Sequence, residues 1–451
     1  LVEKQYMPYA VSLTNSFVTP AGGYYTQTAY DDLGRVNVVT GPDAATSVMN
    51  YNIHLLDTQP TSVTYSQDAN GHTAEAWADA FGRLLKSQGE IGPAVAYTYD
   101  PADRLLSALY GSALTQISYD LAGRKLTLDD PDMGLWSYAY DALGNLTRQT
   151  DARGQRICLY YDGLNRLLGK HYRMDDNCPS SPAYNVSYGY DAGTYGKLHR
   201  TSMTDPSGST AWTFTARGLL ETETKAISGA GTFATKYTYN SADLPTNMQY
   251  PADTAGGLTA LPSLTYTYLP QMALNTLGSY VTGTQYDAAG RITNRSLGNG
   301  ISITNTFTAW NTPLQGGRLS NITAVQSGTT RQNLSYTYDG VGNITQIANA
   351  LGLTTSYTYD GLNRLQSATE STNADPEYDP TTGNLLYMDG NEQIPTLYGY
   401  NDPEHAHAVT HKGGGVQKYY YDANGNMTQR PNQTLQYNAE NQLTSVTGTP
   451  S

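Results

Sequence analysis

The sequence predicts an all-β chain built from tandem hairpins, on three observations. Self-similarity at a period near 21 residues runs the length of the chain. Tyr (39) and Gly (44) are far above ordinary usage while Phe (5) is scarce. Hydrophobic residues make up 39% and charged residues only 14%, the profile of a turn-rich β protein with aromatic strand faces.

The repeat is Tyr-Asp-x-x-Gly-(Arg/Asn)-(Leu/Ile/Val). It appears as Tyr30-Asp31 with Gly34, Tyr119-Asp120 with Gly123 and running to Leu126, Tyr140-Asp141 with Gly144, and Tyr286-Asp287 with Gly290. It returns as Tyr338-Asp339 with Gly342 and Tyr421-Asp422 with Gly425. Tyr161-Asp162 and Tyr359-Asp360 place Asn165 and Asn363 where the others have Gly, and Tyr99-Asp100 places Asp103 there. Gly, Asn and Asp best tolerate positive φ, so the fifth position is read as a left-handed turn residue. The Asp after Tyr is read as an Asx cap on the backbone two residues on, within a short hairpin loop.

Tyr is often doubled two residues upstream, as in Tyr97/Tyr99, Tyr138/Tyr140 and Tyr357/Tyr359. Residues two apart share a strand face, so each Tyr pair is expected to stack on the pair of the next hairpin. Worn copies fill the gaps: Ala78-Asp79 to Leu84, Phe214, Tyr239-Asn240, Phe307, Tyr400-Asn401 and Tyr437-Asn438, with lengthened turns at Tyr190-Asp191 and Tyr378-Asp379. One hairpin per ~21 residues gives about 40 strands and a ribbon on the order of 190 Å long. Accumulated twist cannot leave such a ribbon flat, so a long curled antiparallel ribbon is expected, a spiral shell or barrel with a hollow interior.

The bulk numbers narrow function. A net charge of -13 with no Lys/Arg run argues against nucleic acid. No stretch has the ~18 apolar residues of a membrane-spanning helix. The chain opens at Leu1 rather than Met and is read as one continuous array, 1–451, inside a larger polypeptide. Cys158 and Cys178 are open to two readings, unpaired thiols or a disulfide pinning neighbouring stretches of ribbon.

Candidate chemistry is thin. His405, His407 and His411 lack a compatible carboxylate or Cys ligand and are read as structural. Asp129-Asp130-Pro131-Asp132 offers oxygens suited to Ca²⁺ but falls in a turn where acidic residues need no metal. Asp205-Pro206 and Asp375-Pro376 are read as turn pairs. The run Gly413-Gly414-Gly415 lacks the partners of a phosphate loop, and no nucleophile elbow occurs. Asn145 and Asn343 begin glycosylation-like triplets that arise from the repeat itself. Trp136, Trp212 and Trp310 are read as cross-hairpin packing, with sugar stacking as the alternative. No catalytic residue, cofactor or metal site is expected.

The segments YTYDGLNRL (357–365), YAYDALGNLT (138–147) and YYYDANGNMT (419–428) resemble the RHS/YD-repeat family, and the resemblance covers essentially the whole chain. That family includes bacterial RHS polymorphic toxins, cocoon subunits of insecticidal Tc complexes, wall-associated bacterial proteins and animal teneurins. The resemblance implies a secreted or cell-surface, non-catalytic scaffold, foremost the wall of a cocoon around a C-terminal toxin effector. The partner would then be that effector or a co-delivered toxin component. The self-cleavage segment and effector are expected outside these residues. The alternative is an extracellular structural or adhesive protein that assembles with neighbouring copies or binds surface glycans.

Overall fold

The computed structural model describes residues 1–8, 23–56, 59–175, 178–251, 263–369, 373–374, 376–388, 396–413 and 418–449. Asp375, Gly414 and Gly415 lie outside them. The described residues form forty strands, and each pairs antiparallel with at least one neighbour in the chain. Thirty-two of the strands, from Lys4–Tyr6 to Asn373–Ala374, make one open sheet. Two four-stranded sheets follow, Glu377–Lys412 and Tyr420–Gly448.

The hairpin loops place the expected left-handed residue at the fifth position. Gly34, Gly123, Gly144 and Gly425 have φ of 77°, 84°, 90° and 77°, and Asp103, Asn165 and Asn363 have 64°, 60° and 58°. One worn copy escaped the sequence reading. Tyr268 begins a loop without Asp or Gly, in which Met272 takes the position at φ 65°.

A register shift sits where each motif Tyr joins its loop. Ala139 opposes Arg148 while Tyr140 opposes Leu146, and the same one-residue excess recurs at Tyr119, Tyr161, Tyr338 and Tyr359. A bulge bends its strand and increases the local right-handed twist. Repeating one bend at every hairpin coils the ribbon. At Tyr119 the partner is Lys125, so Lys125 holds the seventh motif position and Leu126 is the bulged residue.

The coil shows in contacts about 270 residues apart. Backbone N–H of Leu314 donates to the Asp43 carbonyl (3.0 Å), and Asn70 Nδ2 donates to Asp339 Oδ2 (2.9 Å). Ala152 N–H donates to Asn424 Oδ1 (2.9 Å), and Lys170 Nζ lies 2.6 Å from Glu440 Oε1. Between the Gly41–Ala45 turn and the Phe307 loop that seats on it run twenty-three described strands, Thr46–Leu56 to Ile301–Phe307. At about 4.8 Å per strand, one turn is at least ~110 Å around and ~35 Å across. The curled ribbon is thus a spiral whose sheet stays open, not a barrel closed by hydrogen bonds.

Burial agrees with a wall around unfilled space. Among the described residues only Val63, Trp136, Cys158, Val186, Leu264, Ala324 and Leu435 are buried apolar side chains. The surface is 26325 Å², against about 17,000 Å² for a compact protein of this mass.

Candidate functional site

The features that the geometry sets out are the loops that build the wall and the seam that joins its turns. The Tyr-Asp loops begin with their Asp. Asp120 Oδ1 accepts the backbone N–H of Arg124 (2.9 Å) while Oδ2 pairs with Arg124 Nε at 2.6 Å. Asp31, Asp79, Asp100, Asp162, Asp287 and Asp360 repeat the arrangement with the Arg four residues on. The backbone N–H of that Arg, working against partial burial, and then its guanidinium hold the Asp31, Asp100, Asp120 and Asp162 carboxyls below their ordinary range.

The same guanidinium reaches the next hairpin. Arg104 Nη1 donates to the Asp120 carbonyl (2.7 Å) and Arg124 Nη1 to that of Asp141 (2.8 Å). Arg83, Arg104, Arg124 and Arg318 lie 5.5, 5.2, 4.9 and 5.6 Å from the ring centres of Tyr99, Tyr119, Tyr140 and Tyr338. The motif hydroxyl ties hairpins in the other direction. Tyr140, Tyr161, Tyr338 and Tyr359 donate to the carbonyls of Lys125, Leu146, Leu319 and Ile344 at 2.7 to 3.0 Å. The expected Tyr-on-Tyr stacking is therefore corrected. Successive motif tyrosines join through a backbone carbonyl and an interposed guanidinium. The ring-to-ring contacts pair other rings, Tyr6–Tyr25 and Tyr160–Tyr184 among them, or set a His against a motif-position ring, His199 on Phe214 and His405 on Tyr421.

Where Asn replaces Arg, a second linkage appears. Asn145, Asn343 and Asn426 donate from Nδ2 to their own Asp and to Asn165, Asn363 and Asn441, the left-handed residues of the next loops. Asn165 and Asn363 thus serve as acceptors as well as turn residues.

The seam joins opposite edges of successive turns. Tyr-Asp loops of the later turn seat on connections between hairpins of the earlier one. Two of those connections, Asp68 to His72 and Asp151 to Gln155, and the later turn's Asn349 to Leu353 are loops of the same construction on the far edge, each with a left-handed Gly fourth, Gly71, Gly154 and Gly352. They carry no Tyr, which is why a Tyr-based reading passed them over. Asp151 is 5% exposed; it pairs with Arg153 Nη2 (2.9 Å) and accepts from Asn424 Nδ2 across the seam (2.5 Å), while Arg153 reaches Asp422. Glu440 takes a further bond across the seam beside that from Lys170. Tyr172 hydroxyl donates to Glu440 Oε1 (2.7 Å), and the phenol, partly buried and facing that carboxylate, is held far above its ordinary pKa.

The other candidates belong to this framework. His405 Nδ1 donates to the Asp132 carbonyl (2.9 Å), and His407 takes both Asp132 carboxylate oxygens through its N–H and Nδ1. Asp130 Oδ1 caps its own turn at Asp132 N–H, and Asp205 caps Ser207 and Gly208. His411 lies on the short strand His411–Lys412, paired with Gly399. Among the described residues no cluster of three His, Cys, Asp or Glu side chains is placed to hold a metal. Trp136 Nε1 donates to the Met133 carbonyl, Trp212 Nε1 to Glu223, and Arg291 lies over Trp310.

Cys158 and Cys178, 20 positions apart in sequence, form a disulfide with Cα atoms 5.7 Å apart. Cys158 is fully buried in strand Arg156–Tyr161, so the bond fastens the long connection before Val186–Tyr190 to that strand. In the loop-entropy account, opening it through Cys178→Ala costs about 3 kcal/mol. Urea unfolding should show that loss, and a reducing agent added to the unmodified chain should reproduce it.

Comparison with known proteins follows the same lines. The RHS Repeat family model matches residues 140–173 and 338–376. No curated protein sequence matches. Among solved structures, the Photorhabdus luminescens Tc holotoxin pore has TM-score 0.76 at 16% identity over 95% of this chain and 24% of that one. TcdB2-TccC3 without its hypervariable C-terminal region gives TM-score 0.77 at 16% identity over 94% and 24%. The complete TcdB2-TccC3 gives 0.74 at 16% identity over 94% and 25%. The chain spans about a quarter of the length of these structures. The hairpins within 140–173 and 338–376 match the RHS repeat, and the chain coils in the fold of the RHS-containing Tc toxin chains.

Proposed function

We propose that residues 1–451 are one continuous array inside a larger polypeptide and form wall of an RHS-type cocoon that encloses a C-terminal toxic effector. The single observation that carries this reading is the coil, one turn per ~270 residues around a middle that side chains do not fill. Space at least ~35 Å across at the backbone accommodates a chain that is kept from folding or acting outside. The wall itself is non-catalytic; self-cleavage and effector chemistry belong to segments beyond these residues. The partner is the polypeptide's own effector or a co-delivered toxin component. A secreted or cell-surface location is supported by the disulfide, which persists in oxidising compartments.

Protease protection tests the reading. In the intact polypeptide, sequence C-terminal to the array should resist protease at neutral pH and become cleavable once the wall is opened. Equal cleavage with the wall closed or open would reject encapsulation. A structural role at the cell surface, with neighbouring copies as partners, is the second reading. It is favoured by the exposed apolar side chains at loop tips, among them Leu33, Phe81 and Leu121.

A further inference from the structure

The chain contains three Asn-Gly pairs, Asn70-Gly71, Asn299-Gly300 and Asn424-Gly425. An Asn side chain is attacked most readily by the backbone nitrogen of a following Gly, because no Cβ there hinders the approach and the backbone turns freely. Two of the three stand on the seam, and each bridges one seat. At the Asp339 loop, Asn70 Nδ2 donates to Asp339 Oδ2 and Asn70 Oδ1 accepts the Gly340 N–H, both at 2.9 Å. At the Asp422 loop the direction is reversed. There Asn424, on the later turn, donates from Nδ2 to Asp151 Oδ2 (2.5 Å) and accepts the Ala152 N–H (2.9 Å).

Both amides are thus held at both ends across the seam. The attacking nitrogens are engaged as well: Gly71 N–H donates to the Asp68 carbonyl (3.0 Å) and Gly425 N–H to the Asp422 carbonyl (2.9 Å). The groups that the amides face make their conversion consequential. Burial pushes the Asp339 carboxyl up, and the Asn70 and Asn343 amides outweigh it. Asp151 is 5% exposed and already shares Arg153 with Asp422. A carboxylate in place of either amide would set two like charges in contact and remove a donor that offsets burial.

We propose that Asn70 and Asn424 are deamidation sites gated by the seam, and that their conversion makes opening of the coil irreversible. While a seat is closed, its amide is held away from attack. Once the seat opens, the Gly nitrogen gives up its proton and bonds to Asn Cγ, and ammonia leaves, which closes a succinimide. Water then adds to one of the two imide carbonyls and breaks its bond to nitrogen, leaving Asp or isoaspartate. The net exchange is amide and water for carboxylate and ammonium, so no reactant besides water is needed. The new carboxylate meets Asp339 or Asp151 when the turns come together again, and isoaspartate also lengthens the loop backbone by one carbon. The seat then stays open. The inference rests on the seam and not on encapsulation, so it stands or falls separately from protease protection.

Peptide mapping by mass spectrometry tests it, on chain aged in mildly alkaline buffer with and without guanidinium chloride. Asn70 and Asn424 should convert at least about tenfold more slowly in the folded chain than in the denatured one. Asp151→Ala, which opens one seat, should speed conversion at Asn424 at least about tenfold. Asn70→Asp and Asn424→Asp supply the product directly, with Asn299→Asp as the comparison, since Asn299 is exposed and its Oδ1 accepts the Ile301 N–H of its own turn. Each seam variant should be cut by protease at least about tenfold faster than the parent, the equivalent of one unit of carboxyl pKa between facing charges. Asn299→Asp should be cut at the parent's rate. Where a seam variant fails to fold, the parent aged in denaturant is refolded instead. Chains converted at Asn70 or Asn424 should then gather in the protease-sensitive fraction. The proposal is overturned by equal conversion of Asn70 and Asn424 in folded and denatured chain, or by an unchanged rate at Asn424 in Asp151→Ala. Seam variants as resistant as the parent, or converted chains spread evenly between the fractions, overturn it as well.

Discussion

Acidification should open this protein from its loops, with thermal stability flat above about pH 5 and falling below about pH 4. The carboxyls of Asp31, Asp100, Asp120 and Asp162 are held below the ordinary range by the backbone N–H and guanidinium of the following Arg. At Asp339, burial pushes the other way and is outweighed by the side chains of Asn70, across the seam, and Asn343. A carboxyl whose folded pKa is depressed contributes stability that is fully present above its unfolded pKa of about 3.9 and is lost as pH falls through the folded value. Because the device repeats at successive hairpins and reaches the seam, its loss is collective. Melting followed by circular dichroism from pH 7 to pH 2 would check this. A melting temperature that stays constant to pH 2 would show that the Asp caps do not hold the loops.

The largest single-residue effect is expected at Asp151. Asp151→Ala removes the acceptor of two backbone N–H groups and leaves Arg153 and Asn424 facing each other without their shared carboxylate. Removing one member of a buried charged pair costs about 3–5 kcal/mol. Residues 418–449 lose an anchor on the earlier turn, so limited proteolysis should cut there first. Asp205→Ala is the comparison. Asp205 caps a connection of the same kind, and its carboxylate accepts hydrogen bonds from its own turn, at Ser207 and Gly208, rather than across the seam. The loss there should be nearer ~1 kcal/mol, without new cleavage near the C-terminus. Equal losses at the two sites would mean that the seam contributes no stability.

The two variants also mark what the sequence revealed. The loop chemistry was legible because Gly34, Asp103 and Asn165 exchange at one position, and only a positive φ explains that set. Curling was legible because twist accumulates over forty strands, but its pitch was not. The pitch depends on a small bend per hairpin summed over about twelve hairpins, and no residue type encodes that sum. The doubled tyrosines pointed to aromatic stacking, yet the Arg at the sixth position reaches the next ring first. That contact depends on stagger between hairpins, which a linear pattern does not contain. The partner of His405 and His407 was not legible, because Asp132 lies 273 and 275 residues away in sequence. The disulfide was left open because only the folded strand brings Cys178 back to Cys158.

Zero-length carbodiimide cross-linking read by mass spectrometry tests the coil most directly. Lys170 and Glu440 are 270 residues apart in sequence, and Nζ lies 2.6 Å from Oε1. The coil predicts an intramolecular Lys170–Glu440 amide in the monomer fraction, alongside the local Lys225–Glu223 link, whose groups are 3.6 Å apart. Recovery of the local link without the Lys170–Glu440 link would contradict a ribbon that returns on itself after one turn.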